Sequence, residues 1–155
     1  MNQSQQLASR FNEALLNGTW VTNTNFKDLL SDVSFKEATA SYKSLNSMAL
    51  LTYHINYYIA GVLEVFKGND LTIRDQYSFD MPAITTEEQW TDLRETLIQN
   101  AQEFASHLSK LSDTEIEAPF VAEKYGNYNR NINGMIEHCY YHLGQLVLIK
   151  KLLRS

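Results

Sequence analysis

His138 and His142 stand four residues apart in Met135-Ile136-Glu137-His138-Cys139-Tyr140-Tyr141-His142-Leu143-Gly144-Gln145-Leu146, a stretch that reads as helix. A four-residue step puts both imidazoles on one face, one turn apart, where they can share a divalent metal. A third histidine, His54, lies in Leu50-Leu51-Thr52-Tyr53-His54-Ile55-Asn56-Tyr57-Tyr58, which is also helical in pattern. If the two helices pack side by side, three imidazoles converge and leave metal positions open. That is the layout of a reactive centre rather than a closed structural one.

A plainer reading stands beside this one. His142 falls on the apolar seam of its helix, between Cys139 and Leu146, where a hydrogen-bonded core histidine also fits. His138 sits towards the edge of that seam, near Gln145, where a surface histidine fits. Buried neutral imidazoles need partners for their ring nitrogens, and a metal is one efficient answer. Gln145, one turn beyond His142, is a candidate to orient an imidazole from behind. The fourth histidine, His107, lies among Gln99, Asn100, Glu103 and Lys110, off the seam of its own segment, and is predicted to face solvent without a ligand role.

Several other chemistries are disfavoured by spacing. The zincin motif needs Glu directly after its first histidine; here Cys139 occupies that place, and Glu137 precedes the pair. Cys139 and His138 are sequence neighbours, so on a helix they diverge by about 100° and make a poor nucleophile–base pair. Cys139 is expected to pack as a small hydrophobe. The glycines Gly126, Gly134 and Gly144 are too dispersed for a phosphate-cradling loop, and the Glu-x-x-His pairing of di-iron bundles is missing.

The elements that must position these residues are helices. A first amphipathic segment runs from about Ser4 to Asn17, with Gly18 where a C-cap belongs. Two short helices are predicted at Phe26–Leu30 and Phe35–Ala40, the latter behind the capping-box spacing Ser34-x-x-Glu37. The second long segment begins at Asn46-Ser47, runs to about Phe66 and ends at Gly68. Residues 69–82 have no clean period and read as a loop with short strand-like pieces. A third segment carries Trp90, Leu93, Leu97, Phe104, Leu108 and Leu111 behind Thr85-x-x-Glu88. One further helical turn is predicted at Asp113–Glu117, before Pro119. The fourth long segment runs from about Asn131 to Leu153. Four apolar stripes bury best against one another, so the expected fold is an all-α four-helix bundle with long connections, occupying residues 1–155 as one domain.

Composition agrees with that class. The chain has 155 residues, 44% of them apolar, with six glycines and two prolines, few enough to favour long helices over turn-rich β structure. The net charge of −5 disfavours nucleic-acid binding, which needs clustered Lys and Arg. Lys150, Lys151 and Arg154 lie in the last turns of the final helix, where they complement its dipole. One cysteine rules out an internal disulfide. No apolar signal segment opens the chain and no run approaches a membrane span, so a cytoplasmic protein with no membrane partner is expected.

The arrangement resembles the DinB-like superfamily of metal-dependent four-helix bundles. The resemblance rests on Gly18-Thr19-Trp20 after the first helix, Asn46-Ser47…His54 opening the second and Gly68 closing it. Above all it rests on His138-x-x-x-His142-x-Gly144-Gln145-Leu146 in the fourth. The resemblance implies that His54, His138 and His142 are three metal ligands, that the ion is divalent, with nickel or zinc foremost, and that the chain forms a homodimer through bundle packing. Some members of that superfamily transfer low-molecular-weight thiols and others isomerise a thiol adduct, while most have no assigned reaction.

The site admits two functional readings. In the first, a Lewis-acidic ion supports hydrolysis or thiol transfer, with Tyr57, Tyr58 and Tyr141 as candidate hydrogen-bond donors to a small-molecule or thiol substrate. In the second, the metal or the histidine cluster only pins two helices together, and the bundle serves as a dimerisation or partner-binding module.

Overall fold

The computed structural model describes residues 1–155 and is all-helical, with no strands and one isolated bridge between Pro119 and Asn127. Four long helices form the bundle: α1 (Gln3–Asn12), continued by a π-helical turn at Glu13–Asn17, α4 (Met48–Phe66), α5 (Glu87–Leu108) and α7 (Tyr128–Leu153). Three short helices, α2 (Phe26–Leu30), α3 (Phe35–Thr39) and α6 (Asp113–Glu117), lie in the connections. No helix is long and apolar enough to cross a membrane.

Each helix starts where a short polar side chain can accept from the first free N–H groups. Asn2, Asn25, Ser34, Ser47, Thr86, Ser112 and Asn127 all do so. Such a cap is worth about 1 kcal/mol, which is decisive for the five-residue helices α2, α3 and α6. The cap of α5 is Thr86 with Gln89 completing the box, one residue later than the predicted Thr85/Glu88 pair. Likewise α7 begins at Tyr128 rather than near Asn131, because the Asn127 side chain captures the Arg130 N–H. At the other end of α4, Gly68 takes the left-handed conformation (φ +87°) that stops a helix without a Cβ penalty.

Around the bundle, α5 packs on both α1 and α4, and α7 does the same. The pairs α1/α4 and α5/α7 are therefore diagonal, and the chain must cross an end of the bundle to join either pair. Helices α2 and α3 make the first crossing and α6 the second. Their apolar sides close the core, which is one cluster of 30 buried residues. Trp90 lies fully buried in it and donates Nε1–H to the Val33 carbonyl at 2.7 Å. Phe104 of α5 stacks on Phe11 of α1 and meets Phe66 of α4 at a tilt.

The basic end of α7 lies in its last turn as predicted and also makes specific ion pairs. Lys150 donates to the Leu29 carbonyl and Asp32, and Arg154 grips both Asp32 and Glu37. These contacts tie α7 to the first crossing. The ammonium and guanidinium hold the Asp32 carboxyl down at about 2, and Arg154 with Ser34 does the same for Glu37, also to about 2.

The connection from α4 to α5 is the exception to the diagonal rule. These helices are neighbours, so a short turn would join them. Instead the segment between Gly68 and Thr86 folds back along α4, with a 3₁₀ turn at Asp75–Tyr77 and no strand-like pairing. This course carries Ser78 and Phe79 onto the His54 ring.

A three-histidine candidate metal centre

Because α4 packs directly on α7, His54 meets His138 and His142. The Nε2 of His138 lies 3.1 Å from that of His54 and 2.9 Å from that of His142. All three rings are mutually edge-on, with centroids 4.6–5.0 Å apart. His54 and His142 are buried, while His138 is half-buried and brings the group to the protein surface.

The ring nitrogens on the far side fix the proton count. His54 Nδ1 lies 3.2 Å from the Ser78 carbonyl, which can only accept, so Nδ1 carries the proton and Nε2 is a bare lone pair. His142 Nδ1 donates to Gln145 Oε1 at 2.6 Å, which leaves its Nε2 bare as well. His138 Nε2 faces both and can carry at most one proton. At least one of the two nitrogen–nitrogen contacts therefore sets lone pair against lone pair. A cation resolves that conflict. Two imidazole nitrogens bound at about 2.0–2.1 Å stand about 2.9 Å apart for perpendicular bonds and about 3.4 Å apart for tetrahedral ones. Both spacings to His138 lie inside or at the edge of that span, and the three ligand atoms all lie within 4.8 Å of one another, so the group could hold a divalent ion.

Electrostatics keep the donors in the binding form. Burial pushes the His138 pKa down to about 4, helped by His142 and His54. Burial and the neighbouring His142 lower that of His54 against the opposing pull of Ser78. Burial also lowers that of His142, against Gln145. All three rings are neutral near pH 7, as metal ligation requires.

The surroundings show what each predicted site residue touches. Gln145 Oε1 accepts from His142 Nδ1, and the Gln145 amide in turn donates to the Tyr141 hydroxyl at 3.3 Å. Tyr141 itself is exposed and meets the His142 ring edge-on. Tyr58 packs edge-on against both His54 and His138. Tyr57 and Tyr58, however, bond the back-folded segment rather than open space: the Tyr57 hydroxyl reaches Arg74 and the Tyr58 hydroxyl reaches Asp75. His107 stays outside the cluster, but it is half-buried against Phe66 rather than fully solvated, with Glu103 3.9 Å away. Cys139 is fully buried in the core, where burial raises its thiol pKa far above the ordinary value.

Two contributors were invisible to spacing arguments. Ser78 supplies a backbone carbonyl, which no side-chain motif announces. Phe79 stacks flat on His54 at 4.0 Å from a segment without periodicity.

The family model of the DinB superfamily matches residues 15–146, and the chain belongs to that superfamily. No curated protein and no solved structure matched the chain.

Proposed function

We propose that the protein binds one divalent ion, nickel or zinc, through the Nε2 atoms of His54, His138 and His142, and uses it in hydrolysis or thiol transfer. The observation that carries this reading is the convergence of three Nε2 atoms, two of them stripped of protons by their own hydrogen bonds. An ion there supplies Lewis acidity and a lowered pKa for a water or thiol.

The chain's own residues do the rest. Ser78 and Gln145 hold two imidazoles in the required tautomer. The half-buried His138 and the exposed Phe79 and Tyr141 leave the cluster within reach of a small molecule from solvent, which favours an open centre over a sealed one. Tyr141 accepts from Gln145 and keeps its own O–H to donate to a substrate. Cys139 is sealed in the core, so a transferred sulfur comes from a substrate and not from the chain. The superfamily resemblance further implies a homodimer, which sedimentation analysis reads directly.

The test is metal analysis of protein purified without an affinity tag, followed by a panel of hydrolytic and thiol-transfer substrates with and without chelator. About one ion per chain and a chelator-sensitive turnover are expected. Protein without a bound ion defeats the reading. Bound metal with no turnover on any substrate, together with a large chelator-induced drop in melting temperature, replaces it with the metal-stabilised binding module.

A further inference from the structure

One stripe of α4 is given over to the segment folded back upon it. His54, Tyr57, Tyr58 and Gly61 recur at i, i+3, i+4 and i+7, which is one helix face. Each meets a successive part of the same segment. Gly61 receives Ile73, Tyr57 receives Arg74, Tyr58 receives Asp75, and His54 receives Ser78 and Phe79.

Two of these contacts have no other evident purpose. Gly61 lies buried in the middle of a long helix, where glycine costs about 1 kcal/mol relative to alanine. A Cβ there would stand 2.5–2.8 Å from three side-chain carbons of Ile73, closer than atoms can approach. Ile73 is β-branched and stiff at χ1, so its γ carbons give way only by leaving their preferred rotamer or by shifting the segment. The missing side chain thus lets the segment lie directly on the helix. Tyr57 makes a double contact: its hydroxyl donates to the Arg74 carbonyl at 3.0 Å and accepts the Arg74 N–H at 2.9 Å. A single phenol thereby fixes both polar groups of one peptide residue in register.

Register is what His54 needs. Arg74 to Gln76, Tyr77, Phe79 and Asp80 are exposed, so the segment has little burial of its own to hold it. Only Ser78 in this run is buried, and its carbonyl is the acceptor that leaves His54 Nε2 bare. A slip of one residue would remove that carbonyl and free the ring to adopt the other tautomer.

We propose that Tyr57 and Gly61, neither of which bonds to or stacks on a histidine, are positioning residues for the metal centre. They act by seating residues 73–79 so that the Ser78 carbonyl holds His54. This rests on the metal reading of the three histidines. Coupling of this kind is reciprocal: an ion on His54 favours the seated segment by the same factor as the seated segment favours the ion.

The experiment is zinc titration, repeated with nickel, of metal-free wild type, Gly61→Ala, Tyr57→Phe and Gly134→Ala, with ¹⁵N imidazole spectra of each metal-free protein. Gly134 is a matched control, since a Cβ there meets nothing within 4 Å. Gly61→Ala is expected to bind zinc at least about tenfold more weakly, the scale of lost support behind a ligand, with Tyr57→Phe showing a smaller loss. Gly134→Ala should match wild type. In both test variants the His54 signals should move from one tautomer towards a mixture, with helical circular dichroism unchanged. Zinc affinities within twofold of wild type and an unchanged His54 tautomer overturn the inference. If wild type takes up neither zinc nor nickel, the metal reading falls, and the spectra still decide whether the segment controls His54.

Discussion

His142 Nδ1 and Gln145 Oε1 lie 2.6 Å apart, the shortest of the contacts that orient the histidine cluster. The amide oxygen fixes the proton on Nδ1, and with it the bare Nε2 that points at His138. Gln145→Leu keeps the volume and removes the acceptor. It should weaken zinc or nickel binding about 10- to 100-fold, the usual cost of losing such a partner. A competition titration against a chelator measures this, and affinity equal to wild type would show that Gln145 plays no orienting role.

Removing a ring altogether is the harsher test. His142→Ala should lose the ion while keeping the helical fold, since core helices α4 and α7 retain Ile55, Ile59, Leu143 and Leu146 in the buried core. Wild type carrying metal at a hundred times its dissociation constant should be about 2.7 kcal/mol more stable than the variant on that account. Metal analysis beside thermal melting checks both halves. Equal metal content in mutant and wild type would defeat the ligand assignment.

Acid should destabilise the metal-free protein before its ion pairs fail. The folded pKa of His138, about 4, lies below its ordinary 6.5. The unfolded chain therefore takes up the proton first, and stability present above pH 6.5 is lost as pH falls towards 4. Asp32 and Glu37 run lower: held at about 2, they keep their contribution until pH drops below the ordinary carboxylate range. Urea midpoints at about pH 7.5, 6.0 and 5.0 should fall in that order, and His138→Gln should flatten that fall. A flat wild-type profile would count against buried neutral histidines.

Trp90 offers a check on the fold itself. Trp90→Phe strands the Val33 carbonyl and leaves a void where the indole lay. An unpaired buried acceptor costs about 1–3 kcal/mol, and lost packing adds to it. Urea unfolding should show a loss of at least about 2 kcal/mol. A change under about 0.5 kcal/mol would mean water reaches Val33.

The four long helices were legible because their apolar residues repeat at helical spacing and their starts carry capping side chains. The first missed boundary, at Thr86, came from two adjacent threonines with acidic or amide partners at the same offset; only geometry chooses between them. The pair His138/His142 was legible from a single helix turn. The approach of His54 was not, since it depends on which helices are neighbours and which are diagonal. That is decided by how the crossings through α2, α3 and α6 close the ends. Tyr57 and Tyr58 could be read as packing residues or as substrate donors, because sequence shows a phenol but not what it faces. Ser78 acts through its backbone, and a carbonyl is common to every residue.

Cys139, lodged between the two histidine-bearing turns, has a practical consequence. Because the chain's one sulfhydryl has no path to solvent while α7 stays packed, alkylating reagents should modify it only during excursions that open the bundle. Its labelling rate is thus a built-in gauge of how often this protein comes apart, and of how far a bound ion slows that event.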